Sequence, residues 1–228
     1  MDASSRLSAW LKDHPQAISN LVDFNAATDN LYKLDLTTAN TKLNADIVND
    51  TPKFTEWVRK KLADNNCSYA VGGYMELRTI YDNRPQFDAA GERRNLHLGV
   101  DIWGDAGTPV YAPLAGTIHS FRDNDNFGDY GPTIILTHEL DGLTLYSLYG
   151  HLSRKNLVGL SVGQQITSGQ QIANLGEAYE NGNWPPHLHF QLMLDLEGWV
   201  GDYPGACRRS EQAKYLQNIP DPAILLQF

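Results

Sequence analysis

His187-Leu188-His189-Phe190-Gln191-Leu192 alternates polar and apolar side chains at every step. Successive side chains of a β-strand point to opposite faces. A strand here presents His187, His189 and Gln191 on one side and Leu188, Phe190 and Leu192 on the other. His97-Leu98-Gly99-Val100-Asp101-Ile102 has the same pattern, with His97, Gly99 and Asp101 set against Leu98, Val100 and Ile102. A helix would also bring His97 and Asp101 together, but Gly99, Val100 and Ile102 favour the strand. Outward from these two stretches, short β-branched or aromatic runs recur from about residue 95, split by Gly, Pro, Asn and Asp. They are Thr108–Ala112, Gly116–Phe121, Thr133–Thr137 and Leu143–Tyr149. Regular strands with turn signals between them predict an antiparallel β domain.

The first eighty or so residues differ. Leu7, Trp10 and Leu11 share one face of a short helix that stops at His14-Pro15. A second helix is expected from Thr51, with Thr51 as the cap, Pro52 at the first helical position and Phe54, Trp57, Val58 and Leu62 along one stripe. Tyr69 to Met75 reads as a strand with a bend, and the tail after Trp199 as turn-rich. The expected fold class is α+β, mainly β with α elaboration: an antiparallel sheet or β-sandwich-like core with an N-terminal helical extension. The expected organisation is residues 1–90 as an elaboration packed on the core, 91–200 as the β domain and 201–228 as a wrapping tail.

The chain has 228 residues, of which 27 are acidic and 18 basic, for a formal net charge of −9. The acidic balance argues against nucleic acid and anionic membrane surfaces as partners. The longest aliphatic runs, Ile134–Leu136 and Ala223–Leu226, fall far short of the ~20 residues that span a bilayer. Cys67 and Cys207 are too few for a disulfide scaffold; two free thiols is the plain reading, with a single bridge or a redox role as alternatives. The N-terminus lacks the apolar core of ~7–15 residues that a secretory signal needs. With Met1 as the natural start, the expectation is a cytoplasmic protein; with a leader already removed, an exported one. Oligomeric state is left open.

The chemistry concentrates in the two alternating stretches. Imidazoles and a carboxylate on one strand face, each backed by an apolar face anchored in a core, suit a rigid metal site. Two imidazoles, one carboxylate and an open position describe catalytic zinc. Spacing alone is weak evidence, and two surface histidine pairs with nothing bound is the plain alternative. A third histidine, His151, ends the strand-like run Leu148-Tyr149-Gly150. His119 and His138 read as structural, and His14 as exposed. His138-Glu139 begins like a helical zinc signature, but Gly142 stands where its second histidine belongs. No nucleophile elbow or phosphate-binding loop is present.

Taken in order, His97-Leu98-Gly99-Val100-Asp101, Gly107-Thr108-Pro109-Val110-Tyr111-Ala112, Gly116, Tyr149-Gly150-His151-Leu152, Val162-Gly163, Gly169-Gln170, Gly176 and Pro186-His187-Leu188-His189-Phe190 resemble the lysostaphin/LytM family of zinc metallopeptidases, which cut peptides in bacterial cell walls. The resemblance implies a zinc metalloendopeptidase with Zn²⁺ held by His97, Asp101 and His189. It places His151 and His187 beside the attacking water and the scissile carbonyl. The implied partner is a peptide or peptidoglycan-fragment substrate. The sequence departs from the family pattern in three places. Glu177 to Pro186 is longer and bulkier than the usual small turn and is expected to border the cleft. Gln191 stands where Glu is common. Gly91 to Leu96 lacks a Tyr that some members use, so that role is unassigned, while Arg94 is a candidate for a substrate carboxylate.

Two other readings stay open: a non-catalytic binding or regulatory module of the same fold, and a swinging-arm carrier suggested by Val162 to Ala173. The carrier needs a hairpin Lys, and none occurs between Lys155 and Lys214. For the first eighty residues three uses are open: covering the cleft, supplying a fourth metal ligand, or buttressing the sheet.

Overall fold

The structure is a computed structural model that describes residues 3–81, 87 and 91–228. Four helices and twelve strands are assigned among these residues. The helices are α1 (Ala3–Asp13), α2 (Ala45–Val48), α3 (Thr51–Asp64) and α4 (Gln212–Asn218). The strands are β1 (Leu31–Leu34), β2 (Tyr69–Gly72), β3 (Arg94–His97), β4 (Val100–Trp103), β5 (Pro109–Tyr111), β6 (Gly116–Asn124), β7 (Gly131–Leu140), β8 (Leu143–Gly150), β9 (Gln165–Ile166), β10 (Gln171–Asn174), β11 (His187–Met193) and β12 (Ala206–Arg208). The molecule is mainly β with helical elaboration.

Eight strands form one sheet in the order β1-β2-β4-β11-β8-β7-β6-β9. All neighbours in it are antiparallel except β1 and β2. The long strands β6, β7 and β8 meander, which is the arrangement that short turns between alternating runs favour. β5 pairs with β10, and β3 pairs with β12. The N-terminal region carries α1 to α3 and also extends the sheet edge with β1 and β2. Its Leu7, Leu11, Leu21 and Val22 join Ile102, Ile134, Leu188 and Phe190 in the main core.

Three local readings of the sequence are corrected. The cap of α3 is Asp50, whose carboxylate accepts from the Lys53 N–H at 3.1 Å. Thr51 is the first helical residue, and its hydroxyl donates to the Asn183 carbonyl at 3.0 Å, tying α3 to the loop before β11. The stretch from His97 to Ile102 is two strands rather than one. The chain leaves β3 at His97 and enters β4 at Val100, so Leu98 and Ile102 fill different cores. The break lies at Gly99, where a Cβ would come within 2.6 Å of the His189 ring and 2.7 Å of the Phe190 carbonyl. His14 is half-buried and stacks on Trp10 at 4.4 Å.

His138 lies inside β7, fully buried, its Nδ1 donating to the Ala115 carbonyl at 2.8 Å and its Nε2 2.7 Å from the Ser147 hydroxyl. Burial depresses its pKa from 6.5 to about 4. The folded state therefore resists a proton that the unfolded chain accepts below pH 6.5. The stability this group contributes is complete above pH 6.5 and drains as the pH falls towards 4. Two and a half pH units correspond to at most about 3 kcal/mol. Chemical denaturation of His138→Gln between pH 7 and 4 is expected to show a shallower loss of stability than the parent by up to that amount. Identical slopes would contradict it.

Candidate metal centre and cleft

β4 and β11 are antiparallel neighbours, and their register sets His189 directly opposite Asp101 and His187 opposite Trp103. Side chains in such positions are about 5 Å apart at Cβ. β8 flanks β11 on its other side with Gly150 opposite His189, so His151, the next residue, emerges beside the same face. His151 has φ +62°. A non-glycine residue in this region costs roughly 1–3 kcal/mol and persists where its surroundings demand it. His97 arrives from β3, which swings back towards the face across the Gly99 break.

The structure brings His97, Asp101 and His189 together, all buried. His97 Nε2 lies 3.0 Å from His189 Nδ1 and 3.2 Å from Asp101 Oδ1, and His189 Nδ1 lies 3.1 Å from the same Oδ1. The far side of each ring has a committed role. His97 Nδ1 faces the Gly73 carbonyl at 3.0 Å and can only donate there. His189 Nε2 faces Gln191 Oε1 at 3.0 Å, and the Gln191 amide nitrogen donates to the Pro204 carbonyl at 3.2 Å. The three inward atoms are thus all acceptors in one spot. Four ligands at 2.0–2.1 Å from zinc in a tetrahedron are about 3.3–3.4 Å from each other. The observed spacings fit a single ion of that kind with little adjustment, and the donor set of two imidazoles and a carboxylate is one zinc accepts.

Burial opposes ionisation of the Asp101 carboxyl, but the His97 ring and the Arg78 guanidinium outweigh it and hold the group well below the usual range. Burial and then Arg78 depress His97 to about 4. His97 is therefore neutral at pH 7, and Arg78 is the charge that stays beside Asp101.

His187 and His151 stand next to this triad with ring centroids 4.1 Å apart. His187 Nδ1 donates to the Pro185 carbonyl at 2.7 Å, and the ring stacks on Trp103 at 4.1 Å and 12°. His151 Nδ1 donates to the Asn181 carbonyl at 2.8 Å. With Nδ1 protonated in each, Nε2 carries a lone pair. Burial depresses His187 to about 4, and burial together with His187 holds His151 well below its ordinary value. Both rings are neutral near pH 7. The segment from Glu177 to Pro186, expected only to border the cleft, supplies both of these anchoring carbonyls.

A cavity of about 410 Å³ opens on this face, lined among others by His151, His187, His189, Tyr130 and Trp184. Binding pockets for small ligands commonly run from about 300 to 1,000 Å³. Arg94 also lines the cavity, half-buried, but its Nε and Nη2 donate to the Ala206 carbonyl at 3.1 and 2.9 Å. Among the described residues no carboxylate lies within ion-pair range of it.

Two side chains of the centre carry no sequence motif. The hydroxyl of Tyr130 lies 3.4 Å from His189 Nε2, with the ring 5.5 Å from that of His151. Burial and Asp202 hold its pKa well above 10, so it keeps its proton. Arg78 reaches the centre from the N-terminal region and bonds Asp101 Oδ2 through Nη1. Tyr130 is flanked by turn residues and Arg78 by no pattern, so only the fold reveals them.

Residues 95–199 match Peptidase family M23. A Pseudomonas aeruginosa lipoprotein NlpD/LppB homologue is 36% identical over 98 residues, covering 43% of this chain and 29% of that protein. Lysostaphin of Staphylococcus staphylolyticus is 35% identical over 105 residues, covering 46% of this chain and 20% of that protein. The chain spans between 19% and 33% of the length of the curated relatives it matches. Among solved structures, the catalytic domain of the antimicrobial peptidase lysostaphin from Staphylococcus simulans aligns with a TM-score of 0.41 and 26% identity, over 71% of this chain and 96% of that one. The histidine and aspartate motifs lie inside the segment, residues 95–199, that is similar to the peptidase M23 family and to part of lysostaphin.

Proposed function

We propose that the protein is a zinc-dependent metallopeptidase that hydrolyses an amide bond in peptidoglycan-type or related peptides. The observation that carries this reading is the convergence of three acceptor atoms, His97 Nε2, Asp101 Oδ1 and His189 Nδ1, at 3.0–3.2 Å from each other. Those atoms would hold the ion. Zinc, when bound, supplies Lewis-acid polarisation of a carbonyl and makes water acidic enough to attack near neutrality.

The chain's own groups supply the rest. His187 and His151 present unprotonated Nε2 atoms towards the cavity, where one can take the proton of the attacking water and return it to the leaving amine. Their Nδ1 anchors on Pro185 and Asn181 fix each ring so that this nitrogen faces inward. Tyr130 lines the same cavity and keeps its proton, with its hydroxyl on the outer, Nε2 side of His189. Arg94 is the candidate for binding a substrate carboxylate, once a ligand competes with its bond to Ala206.

The test is a panel of muropeptides and of Gly- or D-Ala-containing peptides, incubated with the zinc-loaded protein and resolved by mass spectrometry. Cleavage at one amide class, abolished by a chelator and restored by zinc, is the expected result. A silent panel with zinc demonstrably bound would contradict the reading and favour a binding module.

A further inference from the structure

We propose that Arg78 is a positioning residue of the metal centre that restricts Asp101 to a single donating oxygen. This rests on the metal reading above. Asp101 Oδ1 faces the two histidine nitrogens, while Oδ2 is bonded by Arg78 Nη1. An oxygen occupied by a guanidinium is withheld from an ion on the other side of the carboxylate. The guanidinium is itself fixed: Nε donates to Glu76 Oε2 at 2.8 Å, and Nη1 lies 3.3 Å from the Tyr81 hydroxyl. Arg78 is 1% exposed. Its Nη2 is buried without a hydrogen-bond partner among the described residues. Glu76, paired with Arg78 Nε at 2.8 Å, offsets only part of the guanidinium charge, so the variants are read for the orientation of Asp101 as well as for its charge environment.

The backbone supports the same arrangement. The Met75 N–H donates to the His97 carbonyl at 2.8 Å, the His97 N–H to the Glu76 carbonyl at 3.0 Å, and the Arg78 N–H to the Asn95 carbonyl at 2.9 Å. The Gly73 carbonyl accepts a hydrogen bond from His97 Nδ1 at 3.0 Å. Residues 73–78 therefore orient two of the three inward-facing side chains, His97 and Asp101, although they lie outside the matched segment of 95–199. Gly72 makes room for this: a Cβ there would sit 2.7 Å from Arg78 Nη2. Outer partners of ligands typically govern metal affinity by about 10–100-fold.

The experiment compares the full chain with Arg78→Met, Arg78→Lys and Gly72→Ala. Zinc affinity is measured by competition with a chromophoric chelator, and the visible absorption of the Co²⁺ forms reports coordination number. Arg78→Met is expected to bind zinc about 10–100-fold more weakly. Its Co²⁺ bands should weaken as the freed Asp101 oxygen raises the coordination number. Gly72→Ala, which alters neither the ligands nor Arg78 itself, should shift both readouts the same way, with Arg78→Lys in between. Should Arg78→Met not fold, Gly72→Ala carries the test. Unchanged affinity and spectra in the folded variants would overturn the role of Arg78 alone. Failure of the parent chain to bind zinc would overturn the metal reading, and this inference with it.

Discussion

His187→Ala is expected to leave one zinc per chain in place while peptide cleavage falls by ~10²–10⁴-fold, the usual contribution of a positioned acid–base group. The separation of the two effects follows from geometry. His187 lies two positions along β11 from His189, on the same face, yet its Nδ1 is spent on the Pro185 carbonyl and its ring lies flat on Trp103. None of the three converging acceptor atoms belongs to it. Removing the ring empties a place beside the proposed ion site without disturbing the three atoms that would hold the ion. Elemental analysis and turnover of the same preparation check this. Parallel loss of zinc and activity would show that His187 is part of the ion's grip, and retention of both would remove it from the mechanism.

His189→Ala is expected to lose both. His189 Nδ1 is 3.0 and 3.1 Å from the other two inward atoms, and among the described residues no other His, Cys, Asp or Glu joins that group. The loss in zinc affinity should exceed the roughly 10–100-fold seen when only an outer partner is removed. Activity should become undetectable at zinc concentrations that saturate the parent. Competition titration measures the first and product analysis the second. Full affinity in His189→Ala would refute the ligand assignment. Gln191→Ala is the instructive contrast, since it removes only the acceptor that fixes the His189 tautomer.

The parts of the site legible in the sequence are those written as strand alternation. His187 and His189 share a face because β11 is a regular strand buried along its whole length. His97 and Asp101 reach the same place by a different route. The chain breaks between them at Gly99, where the ring of His189 occupies the space a side chain would need, and no periodicity encodes that. Arg78 meets Asp101 across an antiparallel pairing of the N-terminal region with β3, a contact set by tertiary packing. Tyr130 depends on the turn before β7 and on Gly205, where a Cβ would fall 1.9 Å from its hydroxyl. The helices show the same division. The stripe of Phe54, Trp57, Val58 and Leu62 announces α3, but whether Asp50 or Thr51 caps it turns on a one-residue shift that places the Thr51 hydroxyl against Asn183. The strands β1 and β2 are short and gain their stability from the sheet they extend, so their local pattern says little about which strand they join.

In the proposed centre, three atoms far apart in the chain grip one divalent ion. Diffraction from zinc-loaded crystals on either side of the zinc absorption edge tests it most directly. A single anomalous peak is expected within about 2.0–2.2 Å of His97 Nε2, Asp101 Oδ1 and His189 Nδ1. A peak bound elsewhere, or none at this triad in crystals grown with saturating zinc, would contradict it.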